Sequence, residues 1–463
     1  MARLVVVGGG LAGLVAALRA AEAGMSVTVL ERGATEGGNG SARLSGGLLH
    51  VAWRPMDDPP DVLLRAIMSE TDGEAGPALA RALADSSREA LEWFGLQGVD
   101  IRPKSAEVPY MKHAVHPHKP IGIGRRHMAE RGPDQAVRLL YKAAAERGVA
   151  VVLSAVVNGL RRSGGGWTVG AEVLGEQRDF TADAVLLADG GFQNNPELLT
   201  RYVGPVADRA FLRASTASTG TGIRLALENG AGAVGLGRVY GHMVSSGAFE
   251  NDMLWPYPPV DKLCLKGLIV DRRGRRVATR AENGVQLVNE LIRHEDVRGL
   301  SVVFDDTLWE TAGTDDPYGT PVPNPDLVDR GGPYLQADDP GGLAAASGWD
   351  GAELRASIAA HNEDTTTVKI AGRLHALRVV PGITLTMGGI STDEHARVLD
   401  PGGAPLRGLY AAGGCAGGIQ GGPRGGYVGG LAVALVFGFR AGASIPADLD
   451  SAGSGAGHGG GDA

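Results

Sequence analysis

The sequence predicts an α/β fold, and three features of its pattern carry that prediction. Apolar runs of strand length recur at 4–7 (LVVV), 27–30 (VTVL) and 183–189 (DAVLLAD). Glycine clusters follow the first and third of these. Alanine- or leucine-rich stretches of helical length follow glycine turns at 11–23 and 221–228. Strand, turn and helix in alternation are the pattern of a parallel sheet covered by helices.

Residues 4–31 read LVVVGGGLAGLVAALRAAEAGMSVTVLE. Gly8, Gly10 and Gly13 have the G-x-G-x-x-G spacing: the first makes the tight turn, the second lets backbone approach a pyrophosphate, and the third lets helix pack on strand. Ala12 lies in the first turn of that helix, whose amides and dipole favour an anion. Glu31 closes the next strand where an acid accepts ribose hydroxyls, and Arg32 follows it. Together these predict a dinucleotide site. Gly38, Asn39, Ser45, Gly46 and Gly47, in the glycine-rich stretch 36–47, suit a loop whose backbone presses against a flat ligand.

Amphipathic patterns predict helices at 61–71 and 77–94, with Leu79, Leu83, Leu91 and Phe94 on one stripe. Between 103 and 131, His113, His116, His118, Arg125, Arg126 and His127 lie among glycines and prolines. No acid interleaves with them at ligand spacing, so the expectation is a surface or anion-contacting loop and no metal. A helix at 133–147 and a strand at 150–153 return the chain to the first sheet. Residues 155–160 and 167–173 flank SGGG as a hairpin or small meander, with Val156 on its first strand. The run 183–189 ends at Ala188, Asp189 and Gly190, a second place where backbone can approach the cofactor.

From about Arg238 the texture changes to more tryptophan, proline and charge, with a hairpin expected around Arg273 and Gly274 and a proline-rich stretch at 317–325. Nucleotide-domain texture returns at Thr386. Gly413 and Gly414 end a strand-like run, and Gly429, Gly430 and Leu431 lead into a helix expected at 427–441. The division expected is 1–237 and 386–445 for the nucleotide-binding domain, 238–385 for an inserted domain, and 446–463 for a disordered tail.

At 463 residues the chain exceeds the size at which one core usually keeps growing. Its 73 glycines accompany an ordinary apolar fraction of 43%, which indicates tight turns and close backbone approaches rather than disorder. A net charge of -8 gives no electrostatic reason to expect nucleic acid or an anionic membrane surface as partner. No uninterrupted apolar run reaches about 18 residues and the first strand leaves no room for a signal peptide, so a cytoplasmic protein without a membrane span is expected. Cys264 and Cys415 are too few for a four-cysteine iron–sulfur cluster, which puts any electron relay outside the chain.

The blocks VVVGGGLAGLVAAL, VTVLER, GGN, LLADGGF, GTGIRLALENGA, GLIVDRRGRR, TMGGISTDEHARVLD, GLYAAGG and GGIQGGPRGGYVGGLAVALVFGFRAG occur in this order over most of the chain. They resemble the flavoprotein family of fumarate reductases and succinate dehydrogenase flavoprotein subunits, which includes tricarballylate dehydrogenase-like and 3-ketosteroid dehydrogenase-like relatives. The resemblance implies a Rossmann-like FAD-binding domain interrupted by an α+β capping domain, with FAD as cofactor and a small-molecule substrate between cap and flavin. It implies hydride transfer to or from flavin N5 at a C–C bond next to a carboxylate or carbonyl, with an external electron donor or acceptor.

By the same resemblance, Arg424 in GGPRGG falls where the family places a carboxylate-clamping arginine, and His242 in VYGHM where it often has a substrate-contacting histidine. The place of the proton-shuttling arginine is taken by Gly284, with Arg280 one turn earlier. Arg280, His242 and Tyr427 are the candidate proton carriers. Residues 383–386 (ITLT) lack the family's histidine before TMGG and Gly284 stands where its arginine would fall, so a plain fumarate or succinate enzyme is disfavoured; Gly414 replaces the glutamate of its YAAGE block, so the flavin's ribityl contacts must differ. The segment 41–47 lacks the histidine used for covalent attachment, His50 being nearest, so FAD is expected to be non-covalent. Two other readings stand beside this one: a flavin oxidase of a C–N bond similar to L-aspartate oxidases, and a flavin-binding subunit without catalysis of its own.

Overall fold

In the computed structural model the protein is described for residues 1–118, 131–255, 259–312, 314 and 323–455. Arg125, Arg126, His127 and most of the proline-rich stretch at 317–325 lie outside the described residues.

Leu4, Val5, Val6 and Val7 are all buried because the strand Arg3–Val7 runs between two parallel neighbours, Ser26–Leu30 and Ala184–Leu187, with packed layers on both faces. The sheet continues through Ala150–Val152 on one side and Pro405–Ala411 on the other, and Arg397–Leu399 adds an antiparallel edge. Alternate side chains enter opposite cores. Leu4 and Val6 pack with Leu14, Val15 and Leu435, from the helices Leu11–Glu22 and Gly430–Gly455. Val5 and Val7 join Trp167 and Val169, from the antiparallel meander formed by Ala155–Ser163, Gly166–Val173 and Glu176–Ala182.

That second core runs on without a break into another sheet, organised by the long strand Leu374–Thr386. Val239–Ser245, Ser301–Asp305 and Leu335–Ala337 all pair with it antiparallel, and Phe211–Leu212 pairs with it parallel. Leu268–Val270 completes the order beside Ser301–Asp305. The expected turn at Arg273 is present, with Gly274 at φ 82°. The recruitment of Phe211–Leu212 departs from the expected boundary at 238, since a short strand well before it belongs to the second sheet.

Observed helices at Pro60–Glu70, Pro77–Leu96 and Gly132–Glu146 match those read from the sequence. The last helix departs from expectation: it starts at Gly430 and continues to Gly455, so residues 446–455 of the expected tail are helical. Burial holds it together past Pro446, because Ile445 is fully buried and Asp448 accepts a hydrogen bond from the Tyr410 hydroxyl at 2.9 Å. By length and composition Gly430–Ser451 is apolar enough to cross a bilayer. In the fold it packs along the first helix, with Arg19 over the Phe439 ring and Gly438 against Ala12.

Candidate active site

The turn after Arg3–Val7 admits only glycine at its first position. Gly8 has φ +102°, and a Cβ there would meet the Ala188 carbonyl oxygen at 2.6 Å. At Gly10 a Cβ would meet nothing within 4 Å, so the backbone there borders open space. No side chain caps the helix that follows, leaving its first-turn amides aimed at that space. Glu31 is 5% exposed, and its carboxylate is fixed by three amides: Gly33 at 2.7 Å, Gly9 at 2.8 Å and Asn39 at 3.3 Å.

The open space is a cleft of about 1380 Å³, counted to its mouth. Gly8, Gly10, Ala12, Glu31, Arg32, Ser45, Val156, Ala188, Asp189, Gly190, Gly413, Gly414, Gly430 and Leu431 line it, as does Tyr427. The remaining expected cofactor contacts stand behind its wall. Gly13 packs against the Gly8 carbonyl, and Gly38 and Asn39 stand around the Glu31 carboxylate. Gly46 accepts from Arg131, Gly47 lies against Pro133, and Gly429 against the His50 carbonyl.

Two buried acceptors on the wall have no protein partner, Asp189 Oδ1 and Gln193 Oε1. The other Asp189 oxygen accepts the Gly222 amide at 2.8 Å, but burial outweighs that bond and pushes the carboxyl up to about 6. A glycine-walled cleft with helix amides, a fixed acid and unsatisfied acceptors fits a long, flat, polyhydroxylated ligand carrying phosphates, as FAD is.

Three expected catalytic residues do not line the cleft. Arg424 is ion-paired to Asp72 at 2.5 Å with its side chain 53% exposed. Arg280 is exposed, its backbone amide bonded to Glu290. His242 lies one side chain back, its Nε2 3.1 Å from the Tyr240 hydroxyl and its Nδ1 2.5 Å from Asp261. Arg424 and His242 share a physical reason, an acid close by in space that captures each, and Asp72 and Asp261 are too distant in sequence to be recognised as partners; Arg280 is instead turned out to solvent.

Tyr427 stacks on Tyr240, with ring centroids 3.7 Å apart and planes 13° from parallel. His50 and Trp53 each lie 5.8 Å from the Tyr427 ring, and Tyr110 is 5.3 Å from Trp53. Trp53 is delivered by a two-residue turn between His50–Val51 and Arg54–Pro55 in which Ala52 has φ 45° and Trp53 φ 62°. Side chains rarely adopt that conformation, which costs about 1–2 kcal/mol per residue. Beside this cluster, burial raises the carboxyl of Glu70, opposed by hydrogen bonds from Trp53 and the Tyr427 backbone. His50 is held near 4 by burial and lies outside the cleft lining.

Sequence reading missed Gln193, Arg213, Ser218 and Thr221, which line the cleft together with Thr384 and Leu385 of the family-departing stretch 383–386, and Tyr240, Asp261 and Trp53 behind it. Ser218 and Thr221 flank a glycine turn that the sequence does display. Arg213 and Thr384 meet only through the pairing of Phe211–Leu212 with Gly382 and Ile383, for which no local spacing exists.

A family model described as an FAD binding domain matches residues 3–429. The chain is 25% identical over 448 residues to a fumarate reductase (cytochrome) of Shewanella frigidimarina, covering 89% of this chain and 71% of that protein. It is 27% identical over 446 residues to a urocanate reductase of Eggerthella lenta, covering 89% and 69%. The 3-ketosteroid Δ1-dehydrogenase of Sterolibacterium denitrificans, solved with 1,4-androstadiene-3,17-dione, shares the fold at TM-score 0.73 and 19% identity, covering 96% of this chain and 100% of that one.

Proposed function

The chain belongs to the FAD-dependent fumarate reductase and succinate dehydrogenase flavoprotein family, as an FAD-dependent oxidoreductase of CH–CH groups; from that premise we propose that it interconverts a C–C single bond and the conjugated double bond next to a ketone or carboxylate of a small organic substrate. One observation carries the reading. Tyr427 lines the cleft with its hydroxyl oxygen accepting the Gly430 amide at 2.9 Å. A phenol whose oxygen accepts a helix N-terminal amide is a stronger donor toward a substrate oxygen that gains charge.

In this reading, the amides around Gly10 and Ala12 hold the pyrophosphate, Glu31 the ribose, and Asp189 and Gln193 accept donors from the rest of the cofactor. Bound FAD supplies the hydride acceptor or donor. The residues of the chain orient the substrate carbonyl on Tyr427, which Tyr240 and Trp53 back from behind the wall, and exclude water. The sheet organised by Leu374–Thr386 acts as the capping domain, sending Thr384 and Leu385 into the cleft. The cofactor is non-covalent because His50 is packed against Trp53, 4.8 Å between ring centroids. Electrons come from or go to a separate partner.

The test is anaerobic bleaching of the flavin spectrum by saturated ketones and carboxylic acids. A compound that bleaches the wild-type protein and bleaches Tyr427→Phe about 10²–10³-fold more slowly supports the reading. Equal rates would remove Tyr427 from it.

A further inference from the structure

From Leu374 to Ile383 the long strand of the second sheet is buried at every residue except Arg378. An arginine kept exposed in the middle of a buried strand needs a reason. Antiparallel register sets it directly opposite Ser301, so the two side chains share a face of the sheet. Ser301 is only 3% exposed, yet its hydroxyl makes no hydrogen bond among the described residues, and the Arg378 guanidinium makes neither a hydrogen bond nor an ion pair among them. Both line a second pocket of about 540 Å³, counted to its mouth, which shares no lining residue with the cleft. Arg378 precedes Thr384 on the strand by about 20 Å, so the two sites are separate.

The other lining residues are Arg272, Arg298, Gly299, Ser347 and Trp349, with no acid among them. Arg298 is held without a carboxylate: its Nε donates to the Arg209 carbonyl at 2.8 Å and its guanidinium lies 4.5 Å over the Phe249 ring. Arg272 is the exception, since both of its bonds go to Asp296. Trp349 is fixed by its amide, which donates to the Ala344 carbonyl at 2.9 Å, and by the turn at Gly274 packed on its Cβ. Two guanidiniums are thus left uncompensated on one pocket, where they repel each other. A nearly buried hydroxyl stands between the strands with nothing to bond.

We infer that this pocket binds the phosphate group of a small molecule, on Arg298, Arg378 and Ser301. The unused groups are donors and positive charge, so the ligand must be an acceptor and an anion. Guanidinium forks match the oxygens of a phosphate, and its two charges balance two arginines where a single carboxylate would leave one unmatched. Trp349 supplies a flat apolar wall for an organic part attached to that phosphate. The shared chemistry of a free diphosphate and of a nucleotide is the phosphate, and Trp349 is what separates them. The inference is independent of the reaction proposed for the cleft.

The experiment is calorimetric titration of the FAD-loaded protein with pyrophosphate and, separately, with ADP, while the flavin absorbance is followed to show that FAD stays bound. One equivalent should bind with a Kd below about 1 mM at low salt, and more weakly as salt rises. Arg378→Gln and Arg298→Gln should each weaken pyrophosphate binding about 10-fold or more. Arg373→Gln, which removes an exposed arginine paired with Asp338 just before the same strand, should leave it unchanged. ADP binding tighter than pyrophosphate, with the difference lost in Trp349→Leu, identifies a nucleotide; equal affinities identify the phosphate alone, and either supports the site. No saturable binding of either probe up to about 10 mM overturns the inference. So does binding that survives in both Arg378→Gln and Arg298→Gln, or that falls equally in Arg373→Gln. Matching melting temperatures show that the variants are folded; if one of the two is not, the other carries the test.

Discussion

At Tyr427, on the cleft wall, the hydroxyl oxygen accepts the Gly430 amide at 2.9 Å, which strengthens the phenol as a donor. Arg424 is in the opposite position, its guanidinium occupied by Asp72 and largely in solvent. Exposed pairs of that kind are screened by solvent and contribute little, so Arg424→Ala should leave the bleaching rate within roughly fivefold of wild type, and a loss of about 10² would return it to the site. Asp189 offers a pH test of the apoprotein. Its folded-state carboxyl is raised to about 6 by burial, above its ordinary value of 3.8. A group raised in this way contributes stability below its unfolded pKa and loses it as pH rises through the folded one. Asp189→Asn, which never ionises, should therefore gain relative to wild type between pH 4 and pH 7 by roughly 3 kcal/mol. Melting temperatures that stay parallel across that range would contradict the burial of the charge. The sequence displays Asp189, because an acid follows an apolar run and precedes two glycines. It does not display the pairing of His242 with Asp261, which the fold alone brings together.

Two elements shape the cleft, and both depend on a small residue at a close crossing or turn. The helix Gly430–Gly455 presses Gly438 onto Ala12, where a Cβ would meet the Ala12 carbonyl oxygen at 2.5 Å. In an unpacked helix Gly→Ala gains about 1 kcal/mol. Here Gly438→Ala is expected to destabilise by about 1–3 kcal/mol through overpacking, and to weaken FAD retention, because Ala12 lines the cleft. Urea unfolding with a flavin-release assay reads both. The turn at Ala52 and Trp53 makes the converse case, since both residues have positive φ. Ala52→Gly should stabilise by about 1 kcal/mol with flavin content unchanged; a loss of stability would mean the Ala52 methyl packs more than it strains. The glycine turn and first helix were legible because one local segment specifies them. The length of the last helix was not, because Pro446 reads as a stop while the burial of Ile445 and the bond between Asp448 and Tyr410 carry it onward.

Across the whole molecule, one core continues from the nucleotide-binding sheet through the meander into the second sheet. The texture change near residue 238 lies just before Val239–Ser245 enters the second sheet, but Phe211–Leu212 joins that sheet from before it by a pairing of long sequence separation. Cleft walls therefore come from both sheets, with Gly8 and Asp189 from one and Thr384 and Leu385 from the other. This is why cleft residues such as Gly8 and Asp189 could be read from local motifs while the aromatic cluster behind Tyr427 could not. A non-covalent cofactor should appear as free yellow FAD in the supernatant after acid precipitation; flavin retained in the pellet would require an attachment site other than His50. The most direct measurement is anaerobic titration of the purified FAD-loaded protein with saturated ketones and carboxylic acids, following the flavin absorbance. Bleaching by at least one such compound, with release of its conjugated product and loss of the effect in Tyr427→Phe, is the expected result. Bleaching only by amines, or by none of these compounds, would contradict a reaction at a C–C bond next to a carbonyl.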